Sequence, residues 1–451
     1  MKSVFVIISK DVIRRNILDT DFWTTFLSHL PAGWKAVLIV EKEKVADYSL
    51  YKSERVEVCG YQKVGHSGFQ KILNYLIRTG VNSHSTRTYR NRAYLRGSSS
   101  FVSFITKAFV ANTLGSLGFF KNFSRFLFLK TKAPKEVYEI FDRYKPDAIF
   151  APSLIDNEFD AQFGRVAKQR GVKFVGMVRS WDNLNNHGIL SVVPDVWPIQ
   201  NRFLFEAAKK YQAINLDKIK TIQVGLPHYD LYKDPSSIIK PKVEFMEALG
   251  LDQDRSFVLL GGSDFYYSEN TLPKKIDEAI ESGAIRKKIQ IIFRPHPGSI
   301  FSLEEYGLES LKNVTLDNAF SGKQLFSDTD KFINLLYHAD IIINICSTLS
   351  IDAAVFDKPA ICINFDDKEN KLSHFESVHR LYDHFDHYER LIAMNGVQTP
   401  TSMNELVKAI NEYLEDPTKD FDGRKRIIEE FVAPLDGKAG ERLAKTVVKN
   451  I

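Results

Sequence analysis

Residues 58–135 contain no aspartate and no glutamate, yet they hold thirteen basic side chains: Lys63, Lys71, Arg78, Arg87, Arg90, Arg92, Arg96, Lys107, Lys121, Arg125, Lys130, Lys132 and Lys135. The whole 451-residue chain has 61 Lys and Arg against 56 Asp and Glu, which leaves 48 basic and 56 acidic residues outside that stretch. The formal charge of +5 thus averages a mildly acidic protein and one strongly basic insert. A patch of one sign attracts an anionic partner, whether nucleic acid, lipid headgroup or phosphorylated substrate. Cysteine is scarce as well. Cys59, Cys346 and Cys362 are all there are, with no CxxC or Cys/His spacing. That argues against a disulfide framework or a structural zinc site and fits a reducing cytoplasm.

Long apolar runs are missing too. No window approaches the roughly 18–20 apolar residues of a spanning helix. The nearest, 101–129, is interrupted by Lys107, Lys121 and Arg125. The apolar run at 4–8 is followed by Lys10, Asp11, Arg14 and Arg15, so it reads as a first strand rather than a secretory signal. Nor is there a GxxxxGK[ST] or GxGxxG segment, which disfavours a kinase or a dinucleotide dehydrogenase. Composition is otherwise globular, with 44% hydrophobic and 26% charged residues, and excludes a disordered or collagen-like chain.

What is present is alternation. Short apolar runs at 4–8, 36–40, 148–151, 173–178 and 221–224 read as strands of one half, and 257–261, 289–293, 341–345 and 360–364 as strands of another. They lack period-two alternation, as strands covered on both faces do. Helical patterns lie between them at 156–170, 202–211, 272–282, 330–338 and 405–414. The reading is α/β: two doubly wound, Rossmann-like domains facing a central cleft. Prolines and serines place a linker at 231–242, between an N-terminal domain 1–230 and a C-terminal domain 243–451 whose last helix is a candidate to pack back on the first. The insert, about 82–130, interrupts the first domain. Residues 82–100 have little periodicity and are expected as a mobile loop. The aromatic stretch 101–129 suits an interfacial amphipathic helix or helix pair, with a core helix bearing a solvated basic face as the competing reading.

Chemistry-bearing residues cluster after the strands. Arg294-Pro295-His296-Pro297 places a guanidinium fork and an imidazole at one strand end, fit for phosphate or a leaving group. Ser347, Thr348 and Ser350, followed by Asp352, gather hydroxyls where a helix should begin; such a terminus holds anions, although one hydroxyl is also an ordinary cap. Gly261-Gly262-Ser263 would let backbone approach a phosphate. In the first domain, Arg179, Asp182, Asn183 and His187 follow a strand, with Asp182 a candidate general base or a plain Asx turn. Asp156 and Glu158 form a second acceptor-side candidate. No metal set appears.

The order Arg294-Pro295-His296, then Ser347-Thr348-Leu349-Ser350-Ile351-Asp352, with Gly225-Leu226-Pro227-His228-Tyr229-Asp230 earlier, resembles GT-B glycosyltransferases. It is most similar to the branch of bacterial CDP-glycerol glycerophosphotransferases and surface-polysaccharide transferases. The resemblance spans about residues 145–365 and implies that Arg294, His296, Ser347, Thr348 and Asp352 hold the nucleotide diphosphate. It implies a metal-independent, cofactor-free, inverting transferase that moves a sugar from a nucleotide-sugar donor to a saccharide or polyprenyl-pyrophosphate-linked acceptor. The setting would be capsule, O-antigen or other cell-envelope synthesis. His296 would assist the leaving group. That branch carries Trp-His-Gly, with histidine as base, where this chain has Trp181-Asp182-Asn183; the departure favours a sugar and makes Asp182 the base. The alternative is polyol-phosphate transfer from a CDP donor. A UDP-sugar 2-epimerase is less consistent with Ser347-Thr348-Leu349-Ser350. Aromatic and basic residues interleave in the insert as in single-strand binders, but no RNP, KH or zinc signature supports a nucleic-acid-binding protein. The insert is instead expected to dock on an anionic membrane, making the protein cytoplasmic and peripheral to the inner face.

Overall fold

The structure is a computed structural model that describes residues 2–65, 68–155, 158–263, 266, 268–296, 299, 301–317, 329–345, 347–366 and 372–451. It divides into two units, one formed by Met1–Leu231 with Phe431–Ile451, the other by Tyr232–Glu430.

The first unit is built on β1 (Lys2–Ile8), β2 (Trp34–Glu41), β3 (Val56–Tyr61), β4 (Ala148–Ala151), β5 (Lys173–Gly176), β6 (Val196–Ile199) and β7 (Lys220–Gln223). All are parallel, in the order β3-β2-β1-β4-β5-β6-β7. The apolar runs of β1 and β2 split by side: Phe5, Ile7, Val37 and Ile39 enter one core, Val4, Val6, Leu38 and Val40 the other. A strand covered on both faces needs that unbroken run. The chain reverses direction across the sheet between β1 and β4. Crevices at the carboxyl ends of such neighbours are where doubly wound sheets bind ligands.

The C-terminal segment completes this unit. Leu443, Ala444 and Val447 of the helix Ala439–Lys449 enter the core beside Phe22 and Phe26. Asp230 holds the start of that helix, its carboxylate accepting from the amides of Ala439 (3.0 Å) and Gly440 (2.7 Å). The Gly-Leu-Pro-His-Tyr-Asp segment therefore has a structural duty. Phe431 packs edge-on against Trp181, with ring centres 5.2 Å apart.

The insert is mainly helical, with His84–Leu95, Phe101–Asn112 and Gly118–Lys130, and the helix Gly68–Thr79 precedes it. The loop expected at 82–100 is corrected here. Ser83 caps His84–Leu95, its hydroxyl accepting from the Thr86 amide at 2.9 Å, and the buried face is made of Ser85, Thr88, Arg90 and Arg92. A helix whose inner face is polar shows no apolar period. Arg90, Arg92, Lys121 and Arg125 are buried, so four of the thirteen charges are structural. Arg125 donates to the carbonyls of Leu190 and Gln212, and desolvation pulls its pKa down to about 10. Lys121, desolvated beside Arg125, falls to about 8.

One buried acid gives the first unit a pH signature. Asp160, on the helix Glu158–Arg170, is fully buried and accepts from the Ser153 amide at 3.1 Å. Burial raises its pKa to about 7, against the opposing effect of that hydrogen bond. A folded-state pKa above the unfolded one contributes stability below the unfolded value, and that contribution is lost as pH rises through the folded value. Asp160→Asn is thus expected to match the parent near pH 4 and to melt about 5 °C above it at pH 8. Thermal melts across that range check it; equal melting points at pH 8 would contradict it.

The second unit has β8 (Ser256–Gly261), β9 (Ile289–Arg294), β10 (Val314–Leu316), β11 (Ile341–Asn344) and β12 (Ala360–Cys362), parallel, in the order β10-β9-β8-β11-β12. The stretch expected as a linker is tied into it. Asn334, on the helix Thr329–His338, accepts from the Lys240 amide and donates to the Ile238 carbonyl.

Candidate phosphate and acceptor sites

In the second unit the reversal lies between β8 and β11. The β8 loop is central, with the β9 loop on one side and the β11 loop on the other. The Gly262 amide donates to the Arg294 carbonyl at 2.8 Å, locking the first two loops together.

Arg294 ends β9 with its Nη1 2.6 Å from Asp317 Oδ2, and Lys331 Nζ lies 2.5 Å from Asp317 Oδ1. Asp317 is buried, at 1% exposure of its side chain. Two cations share one carboxylate, leaving a positive excess across the three groups. The Arg294 guanidinium also lies over the Phe332 ring, 5.0 Å from its centre. It is anchored rather than loose, which suits recognition of a phosphate by its rigid fork of donors. His296, two residues on, is exposed.

The glycines have a different explanation from the one expected. A Cβ on Gly262 would fall 1.8 Å from Glu269 Oε1, and one on Gly261 would fall 2.5 Å from the Leu349 side chain. Protein atoms already occupy the room that the missing side chains leave. Glu269, buried at 1% exposure, accepts from the Ser263 amide at 3.0 Å. Gly261 and Gly262 thus admit protein side chains, and Ser263 is a buried partner of Glu269.

The three hydroxyls after β11 also separate. Ser347 and Thr348 lie at the loop, part-exposed and exposed. Ser347 accepts from the Leu349 amide at 3.2 Å, a local turn that shapes the loop. Ser350 is fully buried, bonded to Asn344 (2.9 Å) and against Cys362 Sγ (3.1 Å), a thiol that burial raises to about 12. Its expected place in nucleotide binding is corrected: Ser350 fastens the helix Leu349–Val355 to the end of β11. Asp352 lies on that helix and is buried at 8% exposure.

In the first unit, Asp182 begins the short helix Asn183–Asn186. Its Oδ2 accepts from Asn186 Nδ2 at 3.1 Å and lies 3.3 Å from His187 Nε2. The Asp182 side chain is 21% exposed and that of His187 is 32% exposed. Asn183 is fully buried, its Oδ1 accepting from the Ser180 amide, so it supports the turn rather than facing an acceptor. Glu158 binds Arg78 Nη2 at 2.6 Å. Glu158 and His187 line one cavity, whereas Arg179 lines a separate recess with Gln200 and His228. Asp156 lies outside the described residues. A carboxylate on one imidazole nitrogen fixes the tautomer and makes the other nitrogen basic. The pair therefore equips His187, oriented by Asp182, to take a proton from a hydroxyl.

Sequence reasoning missed Asp317, Lys331 and Glu269 on the donor side, and Asn74, Arg78 and Asn186 on the other. Asn74, Arg78, Asp317 and Lys331 reach their sites from elements far along the chain, with no local motif to mark them, whereas Glu269 and Asn186 lie close in sequence to Ser263 and His187.

The family described as CDP-Glycerol:Poly(glycerophosphate) glycerophosphotransferase matches residues 195–449. The chain belongs to this family. It is a transferase by that membership, and the matched span includes Arg294, His296, Ser347 and Thr348. No curated protein matches the sequence closely. Among solved structures, a UDP-GlcNAc 2-epimerase from Neisseria meningitidis bound to UDP-GlcNAc is similar with a TM-score of 0.57 and 13% identity, covering 100% of both chains. The UDP-GlcNAc 2-epimerase of Methanocaldococcus jannaschii gives 0.54 and 12%, again over 100% of both. The wall teichoic acid polymerase TagF gives 0.50 and 10%, over 99% of this chain and 88% of that one. At such identities the likeness is one of fold, and the fold is GT-B.

Proposed function

We propose that this glycerophosphotransferase-family chain transfers a polyol-phosphate group, of the glycerol phosphate type, from a CDP-linked donor to a hydroxyl of a saccharide or polymer acceptor in cell-envelope synthesis. The observation that carries the reading is the family match over 195–449, which spans the whole candidate phosphate site. Arg294, His296, Ser347 and Thr348 hold the diphosphate, with Asp352 behind them, and the charge that builds on the departing phosphate meets preplaced donors. The acceptor oxygen forms a bond to the phosphorus that bears the polyol. The bond from that phosphorus to the bridging oxygen breaks, and CMP leaves with that oxygen. The acceptor proton passes to His187, held by Asp182. The cations on the protein supply the neutralisation, so neither metal nor other cofactor enters the scheme.

Sequence alone favoured a sugar as the transferred group because Asp182 stands where the branch has histidine. An imidazole against Asp182 removes the force of that argument. The nucleotide released tests the reading: CMP for polyol-phosphate transfer, UDP or GDP for sugar transfer.

The acceptor is expected at a membrane. No helix among the described residues is long and apolar enough to cross one. The insert nevertheless exposes Phe119 (78%), Val102 (74%), Phe101, Phe109 and Phe126, while Lys71, Arg87, Arg96, Lys130 and Lys132 are exposed on the same helices and their flanks. Apolar side chains interleaved with basic ones, without acids, match an anionic bilayer surface. Replacing Phe109, Phe119 and Phe126 together by serine is expected to weaken binding to phosphatidylglycerol vesicles at least about tenfold. The donor KM should stay unchanged. Vesicle co-sedimentation checks it; unchanged binding would contradict it.

A further inference from the structure

Histidine is concentrated in one stretch of the second unit. His374, His379, His384 and His387 are four of the eleven in the chain. Short histidine-rich tracts are a compositional mark of metal binding, and the transfer scheme uses none of these four. We propose that His374 and His384 bind one divalent transition-metal ion, of the nickel, copper or zinc class, as a clasp on the segment that follows β12.

The geometry singles out this pair. The two Nε2 atoms lie 2.9 Å apart. The ring centres are 5.0 Å apart and the planes cross at 77°, so the rings meet nitrogen to nitrogen rather than face to face. Imidazole nitrogens stand about 2.0–2.1 Å from a bound zinc ion. With bonds of that length, nitrogens 2.9 Å apart subtend about 90° at the ion. That is the cis angle of square or octahedral coordination, and a tetrahedral ion asks for a separation about 0.4 Å greater. The other two histidines are engaged elsewhere: His379 Nδ1 lies 2.9 Å from Asn364 Oδ1, and His387 is buried at 4% exposure.

Both ligands are placed in advance. His384 ends the helix His379–His384. His374 lies in a turn closed by Ser373, whose carbonyl accepts from the amides of Glu376 and Ser377 at 2.9 Å and whose hydroxyl donates to Glu376 Oε2 at 2.8 Å. The Phe375 ring braces both imidazoles, with its centre 5.3 Å from that of His374 and 6.4 Å from that of His384. His374 is exposed and His384 partly so, which leaves the pair open to an ion from solvent.

Charge favours a cation over a phosphate. Residues 372–389 hold Glu376, Asp383, Asp386 and Glu389 against one arginine, Arg380, which is fully buried. Imidazole selects nickel, copper or zinc over magnesium or calcium, which prefer oxygen ligands. Among the described residues no third histidine, cysteine or carboxylate joins the pair, so water completes the coordination. A bound ion ties the turn at 373–377 to the far end of a helix whose first residue is already fastened to Asn364, just past β12.

The experiment uses the untagged full chain, stripped with EDTA. Nickel, zinc and magnesium ions are titrated calorimetrically into the parent, His374→Ala and His384→Ala. Losing a ligand costs at least as much affinity as losing a group that orients one, about 10–100-fold. Either variant should therefore weaken nickel or zinc binding at least about tenfold, and magnesium should not bind at this site. X-ray absorption at the zinc edge of the parent should show two imidazoles, a readout that does not depend on how the variants fold. No nickel or zinc binding by the parent overturns the assignment. So does a zinc spectrum without two imidazoles, or affinity unchanged in both variants, which marks an adventitious ion only.

Discussion

His187→Asn is expected to lower kcat about a thousandfold while leaving the donor KM within about twofold. General base catalysis contributes about 10²–10⁴, and asparagine keeps size and polarity without a basic nitrogen. Asp182→Asn should cost about a hundredfold, because an amide at that position no longer selects the tautomer in which Nε2 donates and Nδ1 accepts. The double variant should be little worse than His187→Asn, since residues acting as a unit are not additive. The kcat/KM profile of His187→Asn should lose the acid limb set by imidazole protonation. The geometry behind these numbers is the 3.3 Å contact between Nε2 and Oδ2 and the 3.1 Å bond from Asn186 that keeps the carboxylate in place. Full activity in His187→Asn with heavy loss in Asp182→Asn would make the carboxylate itself the base.

Arg294→Ala is the second large effect: a loss of about 10²–10³ in kcat, the range for removing one preplaced donor from a developing negative charge. Arg294→Lys should recover only part of it, because an ammonium lacks the planar fork. The substitution has a structural side as well. Asp317 is buried, and without Arg294 it keeps only the ion pair with Lys331 among the contacts described above. Removing one partner of a buried ion pair destabilises the fold by about 3–5 kcal/mol. The double variant Arg294→Ala with Asp317→Asn removes the buried carboxylate that has lost one of its two cations. It should regain melting temperature and remain inactive. Recovery of activity in that double variant would show that Arg294 acts only through folding.

Ser350 and the glycines mark where sequence reading stops. Three hydroxyls at a helix start form a pattern that any anion site would share, and only the packing of Cys362 and Asn344 shows that Ser350 turns inward. Gly261 and Gly262 announce a close approach, which is real, but the approaching atoms belong to Leu349 and Glu269. The doubly wound scheme was legible because buried parallel strands must be continuous apolar runs, as 4–8 and 341–345 are. Strands β3, β6 and β10 were not. Val56–Tyr61 alternates with Glu57 and Gly60, Val196–Ile199 carries Pro198, and Val314–Leu316 is three residues long. Each breaks one of the patterns on which strand recognition depends. The helix His84–Leu95 escaped for the opposite reason, a buried face of serine, threonine and arginine. Arg294, His296 and Asp182 could be singled out because they follow recognisable strands. Asp317 and Lys331 could not, since the trio they form with Arg294 exists only once β10 and the helix Thr329–His338 are folded beside β9.

The most direct test of the central claim is the nucleotide that the purified protein releases. The chain is incubated, with a saccharide acceptor bound to lipid vesicles, in separate reactions with CDP-glycerol, CDP-ribitol, UDP-N-acetylglucosamine and a GDP-hexose. The products are resolved by chromatography. CMP from a CDP-linked polyol, with phosphorus carried into the acceptor and loss of release in Arg294→Ala, is the predicted result. Release of UDP or GDP with no CMP, or conversion of UDP-N-acetylglucosamine to its 2-epimer without any acceptor, would contradict it.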